Sequence, residues 1–398
     1  MNGYEVRHLI ENYYDIQHIR VMAFNMLVGF VKQNKEEIIS QVKCALHNND
    51  VSQKGHATHP HLASHDDLVP HNDYASHFPF VPQFKNASHP LNVSHIYFAN
   101  VNQSNNQSEI NEINDIVSLL ESNEEEKYKK FVEKYVVSKR LNIPIFSSIQ
   151  NLIWFYNNIY QTEKELYKRL DAWSRNHPLR EKFLSKVKGI GPVLASGIIA
   201  WLCSERFFTI PQVVKIDGRT IKVRRKEKVE TIVLPPYVEI IEYDKENKSL
   251  YAHAPPVMQI ANTSPDLWAY CGLAPGQTRK KGKKCNYNTK LKAFCWKIGR
   301  SFIMMKDSFG RKLYDDFVRQ AKIKHPEPII VDGKKKWTNK HIRAWARRKV
   351  VKIFLACVWE VWRKMNNLPV GKPYPIEHLG HKDIITPEDW IEKGSVEE

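Results

Sequence analysis

The chain lacks most of what would commit it to a membrane, to secretion or to a metal scaffold. No stretch approaches the roughly 18 consecutive apolar residues of a bilayer-spanning helix, which excludes an integral membrane protein of the helical kind. Only six cysteines occur in 398 residues, at 44, 203, 271, 285, 295 and 357, and no two form a Cys-x-x-Cys pair. Neither a zinc ribbon nor a disulfide framework is indicated. The first turns carry Glu5, Arg7, Glu11, Asp15 and Arg20 with no small-residue cleavage site, so a secretory leader is not expected. What remains is the expectation of an intracellular chain, cytoplasmic and associated with nucleic acid, long enough for two or three domains.

Positive charge is abundant, and it is unevenly placed. The formal net charge is +17, yet residues 1–150 hold 13 Lys and Arg against 17 Asp and Glu. The basic character therefore belongs to 151–398, and within it 279–312 has twelve cations and a single acid, Asp307. So concentrated a field attracts polyanions, of which nucleic acid is the commonest large one in a cell.

Periodicity divides the chain into five parts. Residues 1–45 repeat apolar side chains at helical spacing (Val6, Leu9, Ile10, Tyr13, Ile16, Ile19) and predict one or two helices. Residues 46–106 hold nine of the seventeen histidines among many Asn, Ser and Pro, and read as a flexible insertion. Their irregular spacing supplies no coordination geometry, and no metal is assigned. Residues 107–177 predict a pair of helices, a candidate for pairing with a second copy of the chain. Residues 178–325 are helical except for β-like runs between 207 and 262, which include a hairpin signal around Asp217-Gly218. Residues 326–398 contain a long helix over 339–365, with an aromatic stripe and a basic first half at Arg343, Arg347, Arg348, Lys349 and Lys352. An extended tail follows, where His378 and His381 lack further ligands for a metal site.

Two segments carry chemistry. The first is Lys186-Val187-Lys188-Gly189-Ile190-Gly191-Pro192, set between two helical patterns. Two glycines leave room for close approach to the backbone and permit positive φ. Pro192 suits the first turn of the following helix, whose free amides would face an anion. Val187, Ile190 and Leu194 would lock the two helices together, and Ala195 would let them pack closely. A hairpin of this kind grips phosphates and does not read bases. The second segment is Trp268-Ala-Tyr270-Cys-Gly272-Leu273-Ala274-Pro275-Gly276, then a loop with Arg279, Lys280, Lys281, Lys283 and Lys284. A basic Gly/Lys loop beside aromatics suits phosphate tracking. The helix predicted over 290–305 places Leu291, Phe294, Cys295, Ile298 and Phe302 on one face.

The Gly-Ile-Gly-Pro turn, Arg206-Phe207 shortly after it and the later Tyr-Cys-Gly-Leu-Ala-Pro together resemble the C-terminal domain of the insertion-sequence 110/116/902 transposases. The resemblance covers about 180–320 outside the β insertion. It implies cutting and rejoining of DNA ends, a guide RNA and, in the family's other half, a nuclease fold with four metal-binding carboxylates. Here the N terminus opens on a helix bearing Glu5, Glu11 and Asp15, and no such tetrad is recognisable. The family's nucleophilic serine also has no counterpart: its place holds Lys280 or Lys281 before Gly282. Thr278 is the nearest hydroxyl, Tyr287 and Thr289 follow, and Ser301 lies on the next helix.

The expectation is thus a mainly α fold, a helical bundle with a helix-hairpin-helix motif and a small β insertion. Its expected role is DNA binding in transposition or recombination, through Lys186, Lys188, Gly189, Ile190, Gly191, Pro192 and the basic loop. Two other classes stay open: a strand-transfer enzyme or nuclease using a divalent metal such as Mg, and a non-catalytic RNA-binding protein.

Overall fold

The computed structural model describes residues 1–52, 97–98, 106–122, 124–138, 140–225, 228–277, 282, 285–331, 334–371 and 384–393. The described chain is mostly helical with a small sheet component, and none of its helices is long and apolar enough to cross a membrane. It divides into two compact units, one formed by Met1–Gln17 with Thr162–Glu398 and the other by His18–Gln161.

The smaller unit holds most of α1 (Gly3–Gln33), α2 (Lys35–Ser52), a two-stranded pair β1 (Tyr97–Phe98) and β2 (Leu141–Asn142), α3 (Asn106–Glu121), α4 (Glu125–Phe131) and the start of α5 (Gln150–Arg175). The first two helices are separated only by a turn at Asn34, and α2 continues to Ser52, inside the histidine-rich part of the sequence. The other histidines of that part lie outside the described residues. The helical pattern over 110–135 is broken at 122–124, and α4 passes into a π-helical turn over Val132–Val137. Leu27, Ile38, Ile116, Leu120, Tyr128, Phe131 and Tyr135 form the core. One acid is held at its edge: Asp115 accepts hydrogen bonds from the Lys134 ammonium and the Tyr135 hydroxyl, both at 2.8 Å. These bonds keep its carboxyl below the usual carboxylate range.

The larger unit continues through α6 (Pro178–Lys182), a 3₁₀ turn at Leu184–Lys186 and α7 (Pro192–Ile198), which extends as a π-helical turn to Cys203. Six strands follow: β3 (Arg206–Ile210), β4 (Val213–Asp217), β5 (Thr220–Arg225), β6 (Lys228–Val233), β7 (Glu239–Asp244) and β8 (Ser249–Ala254). They make two antiparallel three-stranded sheets, ordered β3-β8-β7 and β4-β5-β6. Val213, Ile221, Val223, Leu250, Ala252 and Ala254 from both sheets share one small core. Asp217 pairs with Thr220, so the expected hairpin turns at Gly218-Arg219. On its exposed side Lys215 lies directly opposite Lys222, a like-charge placement that sheets ordinarily avoid.

Helices then dominate: α8 (Val257–Ile260), α9 (Ser264–Tyr270), α10 (Thr289–Met304), α11 (Phe309–Lys324), α12 (Asn339–Met365) and α13 (Pro387–Glu392). A short ribbon, β9 (Ile329–Val331) with β10 (Lys334–Lys336), was not anticipated by the helical periodicity on either side of it. The axis of this unit is α12. Its second half buries Phe354, Leu355, Cys357, Val358, Trp359 and Trp362, nearly all round, which is the signature of a core helix. Phe302 of α10 and Trp390 of α13 meet Phe354 with ring centroids 5.1 and 5.2 Å away. Even the buried cation of this stretch is structural. Arg363 is buried and donates to the carbonyls of Ala261 at 3.0 Å, Met258 at 3.3 Å and Pro369 at 2.8 Å. It thereby satisfies acceptors at the end of α8, where Trp359 also donates to Ala261 at 2.8 Å.

Replacing Arg363 by Met keeps the side chain's bulk and removes this donor from the carbonyls of Met258 and Pro369, leaving Ala261 with Trp359 alone. Leaving buried acceptors unsatisfied should cost roughly 3 kcal/mol, read as a lower urea midpoint with a largely unchanged slope. An unchanged midpoint would show that water replaces the guanidinium there without penalty.

Candidate nucleic-acid interface

The hairpin segment folds as a tight turn fastened to α10. Val187, Ile190, Leu194 and Ala195 are buried. Gly189 adopts φ of 102°, a left-handed conformation that disfavours any side chain. A Cβ there would also lie 3.1 Å from the Phe302 ring. The Ser301 hydroxyl donates to the Gly189 carbonyl at 2.6 Å, so this serine holds the turn in place. Gly191 does not use the positive φ open to it: it is extended, at φ −80° and ψ 177°. Its α face opens on free space, since a Cβ would meet nothing within 4 Å. It stands at the N-cap of α7, where no side chain caps the helix, and Pro192 occupies the first turn.

The flanking lysines are not equivalent. Lys186 is exposed, whereas the Lys188 ammonium lies 3.9 Å from the Asp307 carboxylate. One cation of the expected pair is thus partly neutralised by the only acid of the 279–312 segment. Arg279, Lys280, Lys281, Lys283 and Lys284 lie outside the described residues, as does Thr278.

A larger concentration of cations forms where α10 meets α12. Gly299 makes the close approach possible: a Cβ there would lie 2.5 Å from Cγ of Arg347 and 2.9 Å from Val351. The expected buried face of α10 is present in full, Leu291, Phe294, Cys295, Ile298 and Phe302 all being buried. Its other cations divide. Lys290 pairs with Glu11 at 2.8 Å, and Lys297 sits over the Tyr14 ring, where burial lowers its pKa to about 8. Lys292 and Arg300 instead join Arg347, Arg348, Lys349 and Lys352.

Five of these six, all but Arg348, have aromatic neighbours where carboxylates would be usual. The Lys292 ammonium is 4.3 Å from the Tyr287 centroid, and that of Lys352 is 4.5 Å from Trp268. Lys349 lies 4.0 Å from the Phe317 centroid. The guanidinium carbons of Arg347 and Arg300 lie 4.8 and 5.7 Å from that of Trp296. Among the described residues none of the six forms an ion pair with a carboxylate. Cation–π interactions of about 0.5–1 kcal/mol each orient the side chains without cancelling their charge.

Charge is consequently uncompensated. Burial, then the charge of Arg348, pushes the Lys292 and Lys352 amines below their ordinary range, with Lys349 adding to the effect at Lys352. Burial and then Arg348 act on Arg347 in the same direction, against an opposing contribution from Tyr314. The exposed Arg348 is the shared neighbour of all three. A bound polyanion would relieve each of these repulsions at once. Along α10 the distance from Trp296 to Ser301, and so to the hairpin turn, is about 8 Å at 1.5 Å per residue. Patch and turn therefore lie along one helix.

The carboxylates noted at the N terminus serve other ends. Glu5 accepts from the Asn2 amide at 2.9 Å while Asn2 accepts from the Glu5 amide, a capping box for α1. Glu11 is occupied by Lys290. Among the described residues no three His, Cys, Asp or Glu side chains converge as metal ligands, so the divalent ion implied by the transposase resemblance finds no fit there.

Sequence reasoning placed the basic half of α12 correctly on the surface but did not join it to α10, nor single out Trp296. Gly299 is the signal that could have done so, because an isolated glycine inside a helical pattern marks close packing.

The short helix α6 predicts a pH dependence. His177 caps α6 by accepting the Leu179 amide on Nδ1 at 3.2 Å, and burial lowers its pKa from the ordinary 6.5 or so. The fold therefore holds the neutral ring. Above about pH 6.5 this contribution is fully present, and as pH falls the unfolded chain takes up the proton first. Stability should decline below pH 6.5, and His177→Asn, which caps without titrating, should flatten that decline in urea midpoints taken from pH 7.5 to 5.5. No protein family, curated protein or solved structure matches this chain.

Proposed function

We propose that this protein binds DNA through its phosphate backbone, using a helix-hairpin-helix turn at 186–192 together with the α10–α12 cation patch, and acts in DNA transposition or recombination. The observation that carries the reading is the patch: six cations brought together by tertiary packing, five of them beside aromatic rings, with no carboxylate partners among the described residues. The rings leave the positive charge in place, and a phosphate backbone supplies the missing counter-charge. The turn adds an uncapped helix end, an open Gly191 and an exposed Lys186. Transposition is the context supplied by resemblance to the insertion-sequence 110/116/902 family. No catalytic residue is assigned: Ser301 is engaged in holding the hairpin, and Glu5 and Glu11 in holding α1.

Gly191 is the informative position in the turn, because Gly189 is required by the fold itself. Gly191→Val fills open space in front of the α7 amides and should weaken binding of a labelled duplex about tenfold with no change in thermal midpoint. Arg348→Gln with Lys352→Gln should lower the slope of log affinity against log salt by about 2, near 0.9 for each phosphate no longer neutralised. Unchanged affinity and slope in both variants would reduce the patch to a solvated surface.

A further inference from the structure

Trp296 is out of keeping with its helix. The other aromatic and branched aliphatic residues between 291 and 302 on α10 are buried, yet Trp296 is 45% exposed. Burying so large a ring would stabilise the fold, so its exposure is not something packing favours. Nor does it lie at random on the surface. It belongs to the cation patch, with the guanidinium groups of Arg347 and Arg300 4.8 and 5.7 Å from its centroid and Lys292 one turn before it.

We propose that Trp296 is a stacking platform for an unpaired base, which makes the patch a site for single-stranded DNA. The inference rests on the DNA-binding reading above and narrows it. The Arg347 and Arg300 guanidinium groups lie over the indole, and the part of the ring that remains exposed offers apolar surface directly beside these phosphate-binding cations. A nucleotide requires both, one for its base and one for its backbone. A paired base cannot use that surface. In a duplex the faces are stacked inside the helix and only the edges are open, and a ring on the flank of α10 reaches no further than the backbone. Stacking tolerates any base, so the site tracks strand state and is indifferent to sequence.

The test compares labelled deoxythymidine 12-mers with a 12-base-pair duplex, both binding to the full chain at one salt concentration. The variants are Trp296→Leu, Trp296→Phe and Arg348→Gln, with thermal midpoints recorded alongside. Trp296→Leu should weaken the single strand about tenfold and the duplex less than twofold, Trp296→Phe should recover most of the loss, and Arg348→Gln should weaken both. Equal losses on both substrates, or no loss on either, would overturn the stacking role while leaving DNA binding intact. Binding of a uridine RNA 12-mer with none of the thymidine strand would overturn the assignment to DNA. Failure of the intact protein to bind any of the three would instead remove the DNA-binding reading itself.

Discussion

The close approach of α10 and α12 at Gly299 is the constraint on which the rest of the larger unit depends. With no side chain at that point, Arg347 and Val351 of α12 come against the α10 backbone. Phe302 can then reach Phe354, with Trp390 against both. The same approach brings Trp296 beside Arg347 and Lys292 within the electrostatic reach of Arg348. Core and charged surface are thus two sides of one helix pair. The apolar faces pack inward and, because helices are round, the cations that flank each face are forced together at the rim.

What the protein does with those cations separates two kinds of positive charge. Arg363, Lys290 and Lys297 are used by the fold: the first on carbonyls, the second on Glu11, the third over Tyr14. The patch cations other than Arg348 lie against rings, which fix their direction but leave their charge to solvent or to a partner. The hairpin turn repeats the distinction on a smaller scale. Gly189 is spent on geometry, anchored by Ser301 and Phe302, while Gly191 next to it faces open space. A turn that needs one glycine for its own conformation and carries a second where nothing presses on it is shaped for close approach from outside.

Much of this was legible in the sequence wherever the signal was local. The bounds of α12, the buried face of α10, the burial of Val187, Ile190 and Leu194 and the Asp217-Gly218 hairpin all follow from periodicity or turn chemistry within a dozen residues. The break in the pattern over 110–135 and the ribbon β9–β10 were not legible. A few residues of turn or strand between two strong helices leave too short a period to recognise.

By itself, then, the sequence determined which segments are helices, which short stretch becomes sheet and which half of the chain is basic, because backbone preference and charge are properties of neighbours along the chain. Only the tertiary structure decided which cations remain uncompensated, that Lys188 has an acid beside it and that Ser301 is structural. Those outcomes depend on residues tens to more than a hundred positions apart, such as Gly189 with Ser301 and Lys292 with Arg348. Charge compensation depends on distance in space, and the chain specifies that distance only through the packing of its core.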